Sequence, residues 1–152
     1  ISLKNRKKKN FYQKINESTK TFQAIRIFVN KEISELIKGI TKATKILKPG
    51  GKLIVVSFHS IEDKIVKFYF KNYSKNQSRN NKYLPEINNG NTPMFEIYKN
   101  KAIKASSKEL KRNSRSRSAK LRFAIRSDEK FIEPQDLNIK FKFLTDLENT
   151  NA

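Results

Sequence analysis

From Thr21 onward the chain places Phe22, Ile25, Val29, Ile33, Leu36, Ile40, Ala43 and Leu47 at spacings of three and four. That period is one face of an amphipathic helix, and its extent predicts a single long one. Thr19 or Thr21 supplies the cap at its start, and Lys48-Pro49-Gly50-Gly51 stops it. Gly39 lies inside the stripe and is the position at which such a helix is expected to bend or split. The segment Lys52 to His59 follows, and its unbroken Leu53-Ile54-Val55-Val56 run predicts a strand buried on both faces, as in the interior of a parallel sheet. Ser60, with Asp63 three residues on, has the spacing of a helix start. That helix is predicted to reach about Tyr73 and to turn Ile61, Ile65, Phe68 and Tyr69 toward the sheet. Helix, tight turn, buried strand, polar turn and helix together describe an open α/β sheet.

The remainder is less regular. Residues 74–93 are rich in Asn, Ser and Lys and read as an exposed loop. Met94–Tyr98 and Ala102–Lys104 have strand character, and a basic connection leads from them to Ala119–Arg126. There Leu121, Phe123 and Ile125 alternate with Lys120, Arg122 and Ala124, the pattern of a half-buried strand. In the tail from Ser127, Ile139, Phe141 and Phe143 alternate with lysines, which predicts one more edge strand. Residues 1–20 are a basic lead with few apolar anchors, to be read either as a solvated arm or as an RNA-contacting surface. No internal repeat is present.

Charge narrows the functional classes. Thirty-four Lys and Arg against fourteen Asp and Glu give a net charge of +20 over 152 residues, so the surface favours a polyanion. With no cysteine there are no disulfides, thiolate metal sites or Cys nucleophile, and one histidine makes a His-rich metal site or paired-His catalysis implausible. No metal is therefore expected. No apolar run approaches the ~20 residues of a membrane span. The first residues are basic rather than a signal-peptide core, so the expectation is a cytoplasmic protein with no membrane partner. The only glycines are Gly39, Gly50, Gly51 and Gly90, and none belongs to a loop of the kind that cradles a nucleotide. The chain starts at Ile1, which suggests a fragment or a processed product.

Three constellations carry chemistry. Gln23, Arg26 and Asn30 stack on one side of the predicted helix. An Arg there can fork onto a phosphate or carboxylate, and Gln or Asn can read a base edge; the plainer reading is polar contact between the helix and nearby loops. Ser57-Phe58-His59-Ser60 falls at the carboxyl end of the buried strand, where open α/β sheets bind their ligands. His59 is suited to move a proton or to hydrogen-bond a base; alternatively it is a satisfied turn residue and Ser60 only a cap. Glu62 and Asp63 favour a helix N-terminus electrostatically and need no catalytic role. The third is the run from Arg112 to Arg122, in which Arg115, Arg117, Lys120 and Arg122 are interleaved with small hydroxyl residues. Electrostatic contact with nucleic acid suits it better than a merely solvated face.

Together, and in this order, the segments Thr21-Phe22-Gln23-Ala24-Ile25-Arg26-Ile27-Phe28-Val29-Asn30, Pro49-Gly50-Gly51, Ser57 to Lys67 and Asn113 to Arg122 resemble the MraW family of bacterial 16S rRNA cytosine-N4 methyltransferases. The family patterns are close to TFQALRIAVN, PGG, SFHSLEDRIVK and NPRSRSAKLR, and the likeness covers residues 15–126. Glu17-Ser18-Thr19-Lys20 stands where the family reads PATR, Ser114 replaces a proline and Lys64 an arginine. The resemblance implies transfer of a methyl group from S-adenosyl-L-methionine to N4 of a cytidine in 16S rRNA of the small ribosomal subunit. It also implies that the cofactor is bound mainly by an N-terminal half that this chain lacks, so that the chain alone is inactive. Residues 1–20 would end an inserted helical domain, and residues 21–126 would complete a Rossmann-like α/β methyltransferase sheet with flanking helices. Residues 127–152 would be a tail, and a homodimer of the full-length parent stays open. Within that frame His59 and Ser57 are the catalytic candidates. Gln23, Arg26, Asn30, Ser60, Arg115, Arg117, Lys120 and Arg122 are the candidates for contact with substrate or RNA. Two other classes remain: a basic RNA-binding module without catalysis, and a structural half-domain that must pair with a missing piece.

Overall fold

The amphipathic stripe forms two helices, not one. In the computed structural model, which describes residues 17–75, 93–96 and 101–149, α1 is Glu17–Asn30 and α2 is Glu32–Ile46. The break falls at Lys31, which adopts φ 50° and ψ 40°, while Gly39 continues the helix undisturbed. Ile33, Ile37 and Ile40 of α2 are buried, whereas Phe22, Ile25 and Val29 of α1 stay exposed. The expected basic arm up to residue 16 and most of the 74–93 loop lie outside the described residues.

The turn after α2 needs both of its glycines. Gly50 has φ 79°, and a Cβ on Gly51 would sit 2.7 Å from the Leu47 side chain and 2.8 Å from the Lys48 carbonyl. The turn feeds β1, Lys52–Ser57, and the Gly50 N–H donates to the Arg126 carbonyl at 2.8 Å, extending the ladder beyond the strand. Then come α3 (Ser60–Asn72), β2 (Phe95–Glu96), β3 (Ile103–Lys104), α4 (Ser107–Arg112), a 3-10 turn over Ser114–Ser118, β4 (Lys120–Arg126) and α5 (Gln135–Asn149). The mixed α/β fold is as expected, but the strand environment is not. The three ladders, of β1, β2 and β3 each with β4, are all antiparallel, and the one parallel pairing among the described residues is an isolated bridge between Ser74 and Phe95.

The register explains the burial. Opposite Leu53 lies Ala124, and opposite Val55 lies Arg122, so these four share the face on which α3 packs. Ile54 and Val56 point the other way and remain 57% and 48% exposed. The four-residue apolar run therefore has one covered face among the described residues, where two were expected. The same register inverts the expectation for β4: Ala124 and Arg126 are buried, while Leu121, Phe123 and Ile125 are only partly so.

Ile65, Val66, Tyr69 and Phe70 of α3, with Tyr73 at its C-cap, supply much of the core, and Phe95 is edge-on to both Tyr69 and Phe70 at 5.7 and 5.5 Å. The tail closes this core as a helix, and the predicted edge strand does not form. Leu137, Phe141, Leu144 and Glu148 recur at helical spacing and face inward, so the 3.6-residue period overrides the short alternation. Ile139 and Phe143, which suggested a strand, are 74% and 73% exposed. No helix among the described residues is long and apolar enough to cross a membrane.

Holding a lysine in the left-handed region costs about 1–2 kcal/mol, against roughly 0.5–1 kcal/mol for the extra chain entropy of glycine. Lys31→Gly is therefore expected to stabilise the chain by roughly 0.5–1 kcal/mol. A thermal midpoint that is unchanged or lowered would contradict this account of the break.

Candidate functional site

The β1–α3 turn is built around a side-chain cap. His59, not Ser60, is the N-cap of α3: its Nδ1 accepts the Glu62 N–H at 3.4 Å, and the Glu62 carboxylate accepts the Phe58 and His59 N–H groups at 2.8 and 3.3 Å. This reciprocal arrangement satisfies donors that a helix start leaves free. With Nδ1 accepting, the ring hydrogen of neutral His59 is assigned to Nε2. That nitrogen is buried and has no hydrogen-bond partner, yet it lies 3.6 Å from Glu32 and 3.4 Å from Glu62. The imidazole is 6% exposed and looks into a pair of carboxylates.

Across from it, α1 contributes Thr19, Phe22, Gln23 and Arg26, and the turn contributes Phe58, His59 and Ser60, to a cleft of about 510 Å³. Arg26 Nε donates to Glu32 Oε1 at 2.7 Å and its Nη2 to Oε2 at 3.2 Å, while Asn30 donates to Oε1 at 3.4 Å. Burial alone would raise the Glu32 carboxyl, but the Arg26 and Asn30 hydrogen bonds, with the charges of Arg26 and His59, outweigh it and lower its pKa. Behind the cleft wall an ionised carboxylate thus meets the guanidinium and the imidazole that line it.

The sequence-predicted residues divide into three sets. Gln23, Arg26, His59 and Ser60 meet in the cleft, and Asn30 stands behind it on Glu32. Ser57 does not join them: it is buried on the α3 side of the sheet, with Oγ donating to the Lys120 carbonyl at 3.3 Å. Arg115 and Arg117 are exposed on the 3-10 turn, which Asn113 caps and Ser116 pins from beneath. Lys120 and Arg122 instead hold Asp63, at 2.9 and 2.7 Å. Burial raises the Asp63 carboxyl, but the bonds and charges of Arg122 and Lys120 prevail and lower its pKa.

Two carboxylates beside the cleft were not among the candidates read from the sequence. Glu32 is six residues from Arg26, a separation that a continuous helix would turn to about 120° apart and so off the same face, and only the break at Lys31 reveals the pair. Glu62 was legible as a helix-start acid, but its second contact, to the imidazole, needs a histidine cap that composition rules do not favour.

Against known proteins, the MraW methylase family matches residues 2–127. The chain is 47% identical over 111 residues to the ribosomal RNA small subunit methyltransferase H of Hyphomonas neptunium, covering 73% of this chain and 32% of that protein. It is 50% identical over 115 residues to the protein of the same name from Bartonella quintana, covering 76% and 34%. With that of Caulobacter vibrioides it shares 44% over 115 residues, covering 76% and 37%. The chain therefore spans about a third of the length of these relatives.

The Asp63 contacts have a pH signature. A carboxyl whose folded pKa lies below its unfolded value of 3.8 contributes stability above that value and loses it as pH falls through the folded one. Asp63→Asn is expected to lower stability at neutral pH by roughly 1–3 kcal/mol. As pH falls below 3.8 and through the lower folded value, its melting temperature should converge on that of the parent chain. Parallel melting curves from pH 7 to pH 2 would show that Asp63 carries no such linkage.

Proposed function

The chain belongs to the MraW methylase family, and from that premise we propose that it forms the cytidine-facing part of an enzyme that methylates N4 of a cytidine in 16S rRNA. The observation that carries this reading is the convergence of Gln23 and Arg26 with Phe58, His59 and Ser60 on one cleft beyond the carboxyl end of β1. Crevices at that end of an α/β sheet are where substrates bind. The names of the relatives, which specify small-subunit ribosomal RNA, support the same polymer as substrate.

The exocyclic amine of cytosine is conjugated with its ring and is a weak nucleophile. Catalysis on it depends on alignment and on taking up the proton that the amine releases. The base must also leave its stack, and Phe58, 56% exposed at the cleft mouth, offers an aromatic surface to receive it. Gln23 is placed to bond a base edge, and Arg26 to hold a phosphate while still tied to Glu32. The proton goes to the Glu32 and Glu62 carboxylates, between which the His59 Nε2–H is held while Nδ1 keeps the cap. Arg115 and Arg117 extend the positive surface for the RNA backbone.

The methyl donor in this reading is S-adenosyl-L-methionine. The described residues do not form a cradle for it: the Gly50-Gly51 turn closes on its own helix, with Leu47 filling the space beside Gly51. The donor is accordingly assigned to the rest of the parent protein.

Two substitutions separate a His59 that serves the proton-accepting carboxylates from one that only caps. Asparagine is a good N-cap, so His59→Asn retains the start of α3, whereas His59→Ala removes it at about 0.5–2 kcal/mol. In the full-length parent, both are expected to lower methyl transfer to small-subunit rRNA by about 10²-fold or more, with only alanine lowering the melting temperature. Near-normal turnover by the asparagine variant would reduce His59 to a cap. A wild-type parent that binds rRNA without transferring methyl groups would favour the non-catalytic module.

A further inference from the structure

The apolar period from Thr21 to Leu47 runs through Lys31 without interruption, so local sequence favours one continuous helix there. The chain nevertheless breaks at Lys31, in a conformation unfavourable for a lysine, and Lys31 supplies no side-chain cap to α2. Something outside the segment must hold the break open. Among the described residues, the side chain that caps α2 there comes from Glu148, near the end of α5 and 5% exposed. Its Oε1 accepts the Ile33 N–H at 2.9 Å, and its Oε2 accepts the Ser34 N–H at 2.9 Å and the Ser34 hydroxyl at 2.6 Å. These amides are free to bond Glu148 only if α2 starts afresh at Glu32, because in a continuous helix they would be bonded to the preceding turn. A carboxylate at a helix N-terminus is also favoured by the helix dipole.

We propose that Glu148 is a positioning residue: by capping α2 from the tail helix it enforces the break at Lys31, and the break is what sets the cleft. Glu32 is the first residue of α2 and lies next to the two capped amides. Its carboxylate meets Arg26 and faces His59 only because α1 and α2 diverge at Lys31. In an uninterrupted helix Arg26 and Glu32 would project about 120° apart around the axis and more than one and a half turns along it. The segment therefore has two arrangements, fused and broken, and the tail selects the broken one. Glu148 lies beyond residues 2–127, so the family match does not include it. The proposal concerns the shape of the cleft and stands whether or not the cleft methylates RNA.

The test uses the chain itself, whose single histidine gives one imidazole signal set in NMR spectra. In Glu148→Ala, the Lys31 α- and β-carbon shifts are expected to move from left-handed to helical values, and the His59 ring signals to shift as Glu32 leaves. Adding Lys31→Gly, which favours the break intrinsically, should return the His59 signals toward wild type in the double variant. Phe141→Leu, which loosens α5 elsewhere, should leave them in place. A folded Glu148→Ala chain with unchanged Lys31 and His59 signals overturns the proposal. So does a Phe141→Leu chain that shifts the His59 signals equally, or a Glu148→Ala chain that unfolds and is not recovered by Lys31→Gly; either would make Glu148 a general packing residue.

Discussion

Three cations on the covered face of one strand govern this fold. β4 presents Lys120, Arg122 and Arg126 on the same side as Ala124, toward α3, and every other described strand pairs with β4. Charges turned inward must be met by partners or the sheet cannot close over them. Asp63 meets two of them from the first turn of α3. Arg126 is met by carbonyls, with Nη1 donating to Met94 and Ser127 and Nη2 to Glu129. Meeting these charges fixes how α3 enters the structure. The entry of α3 in turn fixes the His59 cap, and the cap aims the imidazole. The strand that looked like the RNA-binding edge of the chain is thus also what orients its cleft.

That dual use shows why part of the site was legible and part was not. The Lys48-Pro49-Gly50-Gly51 stop, β1, β4 and the polar turn after β1 are local signals, and each formed where the residues predicted. Gln23, Arg26, His59 and Ser60 were singled out from motif and position, and the structure brings all four to one cleft. What failed depends on partners distant in the chain. The helix break rests on a carboxylate 114 or 115 residues away from the amides it caps. The α5 segment carries two overlapping periods, and only packing of Leu137 and Phe141 on the core selects the helical one. Ser57 shares the motif with His59, but strand alternation sends it to the opposite side of the sheet from Ile54 and Val56, onto a β4 carbonyl.

The cleft combines two demands that seldom coincide. Its mouth carries an exposed aromatic ring and a guanidinium, suited to a base and a phosphate. Its wall carries a nearly buried imidazole, backed by two carboxylates suited to a proton. Methylation of a conjugated amine requires both, since the base must be held still and its proton removed. A non-catalytic RNA-binding surface has use for the first alone. Family membership and cleft chemistry therefore point the same way, although the chain spans only about a third of its relatives.

The most direct measurement is the chemical identity of the product. Small-subunit rRNA exposed to the full-length parent and isotopically labelled S-adenosylmethionine would be digested to nucleosides and separated. The account predicts label in N4-methylcytidine, and its loss when Arg26 and His59 are replaced together. Label recovered in a ring-carbon-methylated or ribose-methylated nucleoside would contradict it, because those reactions present different atoms and different protons to the cleft.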